Sequence, residues 1–319
     1  MKSGLAHQRG LTLVELMISL TLGLLVMLVA SALLVASNGS YLQQSETTRL
    51  NDGGRYALDA VGRAIRQTAF VNWDGKDAHV GAAAEDSANI SGLDARSVSK
   101  NSDGIDTPLK GAVNGSDVLA LRYVGAGPGF DGDGSVLNCA GFGVGAANSA
   151  QARGWSIFYV ATDADGEAEL RCKYRGEKSW GADAIVRGID TFQVLYGLDT
   201  DDPADGLANR YVNATVINAL DDALALVGAD AAARARDKNG KTFWKRVVSV
   251  RIAVLLHGGA GSLAGNGPRQ FDLFGKDYSD AHGSGDPGVR IDEAVLPTAL
   301  RNRARQLVET TISLRNQSD

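Results

Sequence analysis

Histidine is scarce in this chain. Only His7, His79, His257 and His282 occur in 319 residues, and they are scattered. No H-E-x-x-H, G-x-S-x-G or Walker-type pattern is present. The glycine-rich stretch "HGGAGSLAGNG" (257–267) lacks the lysine of a phosphate-binding loop and reads as a flexible loop. With no catalytic set, the sequence points away from an enzyme. Aromatics are only 6% of the residues, so the core must rest on Val, Leu, Ala and Ile, while 39 glycines imply many turns. No basic tract stands out and the formal net charge is −5, which leaves nucleic-acid binding without an electrostatic footprint. There are two cysteines, Cys139 and Cys172. The length suits one sizeable domain with an appendage.

Charge is absent altogether from Leu16 to Ala36, where Ser19, Thr21 and Ser31 are the only hydroxyl side chains. At 1.5 Å rise per residue this run makes about 31 Å of helix, one bilayer core. Lys2 and Arg9 precede it, so the N-terminus should stay cytoplasmic and the rest be exported. A secretory signal has an apolar region of about 7–15 residues, shorter than this one, although "ASALLVASNGS" mimics a cleavage site. A plain signal anchor explains length and orientation. It does not explain Glu15, an acid in an apolar setting where such groups are costly and usually functional.

The stretch "RGLTLVELMISL" resembles the class III leader of type IV pilin-like proteins. A short basic leader ends in Gly10, an apolar residue follows, and Glu15 is the fifth residue after the glycine. The departure is Leu11, where the family more often has Phe. The resemblance implies cleavage by prepilin peptidase between Gly10 and Leu11 and methylation of the new Leu11 amine. That amine can pair with Glu15 of the same chain or of a neighbour. A buried ion pair adds little net stability, but losing one partner strands the other, so the pair suits register better than stability. In pilins the acid is assigned this role: aligning an incoming subunit. The bland alternative is a glutamate snorkelling to the cytoplasmic interface.

Beyond the membrane run, Leu42, Glu46, Leu50, Gly54, Ala57, Val61, Ile65 and Thr68 keep close to the 3.6 period. The stem helix should therefore span 11–70, with 11–37 transmembrane and the remainder amphipathic. Gly53 and Gly54 are poor helix residues and should kink or loosen it, as should Gly39. The segment "GGRYALDAVGRAIRQTAF" resembles the "GRYALD…R.IR.AGY" pattern of PilW-type minor pilins, with Arg55, Tyr56 and Asp59 read as structural helix residues. Further on, "IVRGIDTFQVLYGLDTDDPADGLANRY", "WKRVVSVRIAVLL" and "TTISLRN" resemble later segments of the same family, while roughly 71–115 and 257–296 diverge.

Period-two segments bounded by turn residues predict strands in "SDVLALRYVG", "GWSIFYVAT", "AELRCKYRG", "GIDTFQVLYGLD", "KRVVSVRIAVLLH" and "QLVETTISLRN". In "AELRCKYRG", Leu170, Cys172 and Tyr174 share one face and Glu169, Arg171, Lys173 and Arg175 the other. "INALDDALALVGADAAARARD" predicts a helical stretch. The expected fold is α+β and type IV pilin-like: a long N-terminal hydrophobic helix packed on a mainly antiparallel β-sheet with long loops. The expected organisation is a leader (1–10), a stem (11–70) and a β-rich periplasmic or extracellular domain (71–319). In an exported domain an even cysteine count reads as one disulfide, Cys139–Cys172. Two cysteines without a nearby histidine make poor zinc ligands.

Acidic turns are the candidate ligand sites: Asp131 and Asp133, then Asp163, Asp165 and Glu167, then Asp199, Asp201, Asp202 and Asp205. Calcium prefers such carboxylates. None matches the EF-hand pattern, and solvated turns favour Asp and Gly on backbone grounds alone. No cofactor is expected, with calcium at the third turn the exception to consider. The resemblance implies a minor pilin of the inner membrane, and of the pilus after assembly, that primes or caps the pilus in a tip complex. Its partners would be other minor pilins, the major pilin, prepilin peptidase and a large tip adhesin. The alternatives are a type II secretion pseudopilin of the J class and a signal-anchored periplasmic enzyme or binding protein.

Overall fold

The computed structural model describes residues 12–68, 85–262 and 269–314. In chain order they form α1 (Leu13–Thr68), β1 (Ile90–Leu93), β2 (Ser97–Val98), β3 (Pro108–Leu109), β4 (Val118–Tyr123), β5 (Gly154–Thr162), β6 (Ala168–Arg175), β7 (Trp180–Arg187) and β8 (Ile189–Leu198). Then follow β9 (Arg210–Val212), α2 (Ala214–Asp222), α3 (Ala231–Lys241), β10 (Val247–His257), β11 (Gln270–Asp272), α4 (Lys276–His282), β12 (Arg290–Asp292) and β13 (Arg305–Ser313).

The helix α1 is a single rod of 56 residues. Its second half buries Leu50, Gly54, Ala57, Val61, Ile65 and Thr68, the stripe that the 3.6 period predicts. The helix runs through Gly53 and Gly54 without a break. These glycines serve close approach. A Cβ on Gly54 would lie 2.9 Å from Val308 of β13 and 3.3 Å from Leu256 of β10. The lost helix propensity is exchanged for contact between the stem and the sheet.

Among the described residues the head holds two larger antiparallel sheets, beside the two-stranded pairs β2-β3 and β11-β12. The first has the order β1-β4-β5-β6-β7 and the second β13-β10-β8-β9. One core joins Ala57, Val61 and Ile65 of the stem to Leu119, Phe158, Val160 and Leu170 of the first sheet and Phe192, Val194, Val250 and Val254 of the second. The opposite faces are covered too. Leu195, Ala253 and Leu255 pack under Leu273, Phe274, Val289 and Ile291, and Val118, Ala120, Ile157 and Tyr159 pack with Val98. Strands buried on both faces need no polar side, which is why β8 is buried at all its positions.

That double cover extends to both faces of β6. Glu169 and Lys173 do not face solvent. Glu169 pairs with Arg171 (2.6 Å) and Arg187 (3.4 Å). Lys173 Nζ donates to the Gly104 carbonyl (2.7 Å) and sits 4.8 Å from the Trp180 ring centre. Burial pushes its ammonium down to about 8, against the opposing charges of Asp103 and Asp106. The helical stretch at 217–237 is two helices. Asn213 caps α2 by accepting from Val216 N (3.1 Å), and Asp230 caps α3 by accepting from Ala233 N (2.7 Å). The strand β7 escapes period-two reading because it is a sheet edge, with Gly181 and Asp183 breaking its alternation.

Candidate assembly stem and its supports

At its start, α1 carries a reciprocal cap. Thr12 N and Thr12 Oγ1 both donate to Glu15 Oε2 at 2.9 Å, and Glu15 N donates to Thr12 Oγ1 at 3.3 Å. This is the capping box of a T-x-x-E sequence. "TLVE" carried that signal, and the reading of Glu15 as a pairing acid passed over it. Ser19 Oγ donates to the Glu15 carbonyl (2.7 Å) and Thr21 Oγ1 to the Ile18 carbonyl (2.9 Å). Hydroxyls bonded to the preceding turn leave no free donor in an apolar setting. Gly10 and Leu11 lie outside the described residues, as do the leader, His7, His79, Ala69 and Phe70.

From Leu13 to Leu42 the helix has no partner within the head: Leu13 is 74% exposed, Leu28 72% and Leu42 64%. Among the described residues this helix alone is long and apolar enough to cross a membrane. Burial begins at Glu46, whose Oε2 accepts from Gly259 N (3.1 Å). The described part of "HGGAGSLAGNG" is thus tied down on the stem, and Gly258 N also donates to the Ala304 carbonyl (2.8 Å). Arg55, Tyr56 and Asp59 point outward, with Asp59 3.3 Å from Arg63. Gly54 and Ala57 hold the head, while their polar neighbours lie on the exposed face of the stem.

His257 is not isolated in the fold. Its Nδ1 lies 2.9 Å from Asp190 Oδ1, and its Nε2 meets Glu167 Oε1. Arg305, with a fully buried side chain, donates to Asp190 Oδ2 (2.6 Å) and Glu293 Oε1 (2.7 Å). The network ties β10, β8 and β13 together at one end of the second sheet. Its members are 115 and 67 residues from Asp190 in sequence, a separation that hides them from motif reading.

Cys139 and Cys172 form a disulfide, with Cα atoms 5.8 Å apart, that pins the loop after β4 to β6. Closing 33 residues contributes about 3–4 kcal/mol in the chain-entropy model. The double variant Cys139→Ala/Cys172→Ala should lose that much in chemical denaturation. A loss under about 1 kcal/mol, or labelling of both thiols in the unreduced denatured protein, would contradict it.

The acidic turns are mostly occupied by their own backbone. Asp133 Oδ1 accepts from Ser135 N (2.9 Å), and Asp163 Oδ1 from Asp165 N (2.9 Å) and Glu167 N (3.0 Å). Asp199 is buried and accepts from Asp201 N (3.1 Å), Asp205 N (2.9 Å) and Gly206 N (2.7 Å). Burial pushes its carboxyl up, but these N–H groups and nearby Arg246 more than offset that and hold it below the usual range. Asp199, Asp201 and Asp205 bring oxygens within 4.8 Å of one another, whereas Asp202 stands outside the group.

A long N-terminal helix, half seated on antiparallel sheets and half bare and apolar, is the architecture of a pilin-like structural subunit. Residues 5–31 match the prokaryotic N-terminal methylation motif, and residues 157–316 match the type IV pilus-assembly protein W family. The chain belongs to the PilW family and is a type IV pilus minor pilin acting in pilus assembly. Among solved structures it is similar to the type IV-like pilin TTHA1219 from Thermus thermophilus, at 11% identity and a TM-score of 0.36, over 85% of this chain and 98% of that one. No curated protein sequence matches it.

Proposed function

We propose that the chain is made as a prepilin, cut after Gly10 by prepilin peptidase and methylated on Leu11. It then waits in the inner membrane with its N-terminus cytoplasmic and its head periplasmic. Its stem joins other minor pilins in a complex that primes or caps the pilus, with the major pilin below and a large tip adhesin as a further partner. Glu15 sets register by pairing with the Leu11 amine of its own chain or a neighbour's.

The observation that carries this reading is the bare half of α1. Some thirty residues of apolar helix have no partner among the described residues, yet the helix is continuous with the stem half seated on β10 and β13. Such a surface needs lipid before assembly and neighbouring stems after it. The head match to a pilus-assembly family favours the pilus over a secretion pseudopilin. The test is co-purification of the processed protein with other minor pilins, together with the pilus count of a deletion strain. Expected are a stoichiometric minor-pilin complex and a sharp loss of pili. A processed protein that co-purifies with none of them, in a deletion strain with normal pili, would sink the reading.

A further inference from the structure

Three acids far apart in sequence meet at the N-terminus of α2. Asp94 follows β1, Asp117 precedes β4, and Asp286 lies between α4 and β12. One oxygen of each lies within 4.8 Å of the other two. Asp117 and Asp286 are each 2% exposed, and Asp94 is half-buried. Among the described residues no lysine or arginine pairs with any of them, and His282 is the cation-capable group that acts on Asp286. Buried anions without a counter-charge are strongly unfavourable.

Part of their bonding capacity is used locally. Asp94 accepts from Ala214 N (3.0 Å) and Thr215 N (2.6 Å), and Asp117 from Ala95 N (3.0 Å) and Val194 N (2.9 Å). Asp286 Oδ2 accepts from Tyr278 Oη (2.9 Å). Each carboxylate oxygen carries two lone pairs, so capacity remains. The Asn213 side chain also hydrogen-bonds the Asp286 carboxylate. Two buried atoms of this group, Asp286 Oδ1 and Tyr196 Oη, are left without a hydrogen-bond partner among the described residues. Tyr196 is a second, independent pointer. It is 1% exposed, and the charges acting on its hydroxyl are those of Asp94 and Asp117. Its oxygen occupies space that a side chain on Gly92 would fill, 1.9 Å from where a Cβ would stand. The glycine two residues before Asp94 thus makes room for a hydroxyl that has no hydrogen-bond partner among the described residues.

The geometry points to a buried calcium site formed by Asp94, Asp117 and Asp286, with the Tyr196 hydroxyl at its edge. Calcium takes oxygen ligands at about 2.3–2.6 Å, so two of its ligands can stand up to about 5 Å apart, which the carboxylate spacing meets. Magnesium, at about 2.0–2.1 Å and fond of retained waters, fits a buried and irregular set less well. The ion would fasten β1, β4, the first turn of α2 and the α4–β12 loop to one another. This is a different site from the exposed acidic turn at Asp199, Asp201 and Asp205, whose principal carboxylate is taken up by its own loop.

The test uses the full chain in detergent at neutral pH, melted in calcium chloride and in EGTA. At about hundredfold excess over Kd, calcium should raise Tm by roughly 5–10 °C. Terbium should bind at one ion per chain and luminesce on excitation of the protein, because Tyr196 is at the site and Trp244 meets its ring edge-on with centroids 4.8 Å apart. Asp286→Asn should abolish both responses while melting in EGTA no lower than the parent, since it removes a stranded charge. Asp201→Asn with Asp205→Asn should leave both responses intact. Equal melting of the parent chain in calcium and EGTA would overturn the proposal. So would a response kept in Asp286→Asn, or an Asp286→Asn chain that melts well below the parent in EGTA.

Discussion

Glu15→Ala should leave the protein in the membrane with its leader removed, yet reduce surface pili by an order of magnitude or more when counted by electron microscopy. Insertion depends on the apolar run from Leu16 to Ala36, and removing a carboxylate from its edge makes that run more apolar. The capping box shows that Glu15 has a second job, accepting from Thr12 N and Oγ1. Loss of assembly in the alanine variant could therefore come from a frayed helix start or from a missing charge. Glu15→Gln separates the two. Glutamine can still serve as the reciprocal partner in a capping box but cannot pair electrostatically with an ammonium. The register role requires that Glu15→Gln also fail to assemble. If Gln restores pili, the residue acts through the cap, and the ion-pair account is wrong.

Arg305→Ala should destabilise the head by about 3–5 kcal/mol, because it removes the fully buried cation shared by two buried carboxylates and leaves Asp190 with His257 and Glu293 with the partly exposed Arg269. For a domain of this size that is a fall in Tm of roughly 6–20 °C, read by thermal circular dichroism. The guanidinium also donates to the Leu300 carbonyl (2.5 Å), so a buried acceptor is stranded as well. Burial pushes Glu293 up, but the Arg269 N–H, the Arg305 charge and the Asn302 N–H together hold it below its ordinary range. Its contribution is therefore complete above the unfolded-state value and is lost as pH falls through the depressed folded one. The parent should lose stability on acidification more steeply than Arg305→Ala. A Tm change of under about 2 °C would show that Asp190 and Glu293 are compensated by other groups.

How much could be read beforehand varies by element. The stripe Leu50, Gly54, Ala57, Val61, Ile65 was legible because a helix face is a local periodicity. The six main strands were legible because period two survives even where both faces are buried, as in β5 and β10. Edge strand β7 was not, since a strand with one neighbour and an exposed face does not need regular apolar residues. The burial of Lys173 could not be read, because its cover, the loop carrying Gly104, lies 69 residues away. The close approach at the glycine pair was not legible for a similar reason. Helix propensity is a property of the chain, while the approach of Val308 to Gly54 belongs to the packed molecule.

The sequence by itself determined what is local and continuous: the apolar run, the Gly10–Glu15 spacing and the strand positions. Only the tertiary structure decided which charges meet. It set His257 between Glu167 and Asp190, placed Arg305 beneath them, and gathered Asp94, Asp117 and Asp286 beside Tyr196. Hydrogen bonding and Coulomb attraction act across a few ångströms of space, whatever the number of residues between the partners. Chain periodicity carries no record of such encounters until the sheets have closed on one another.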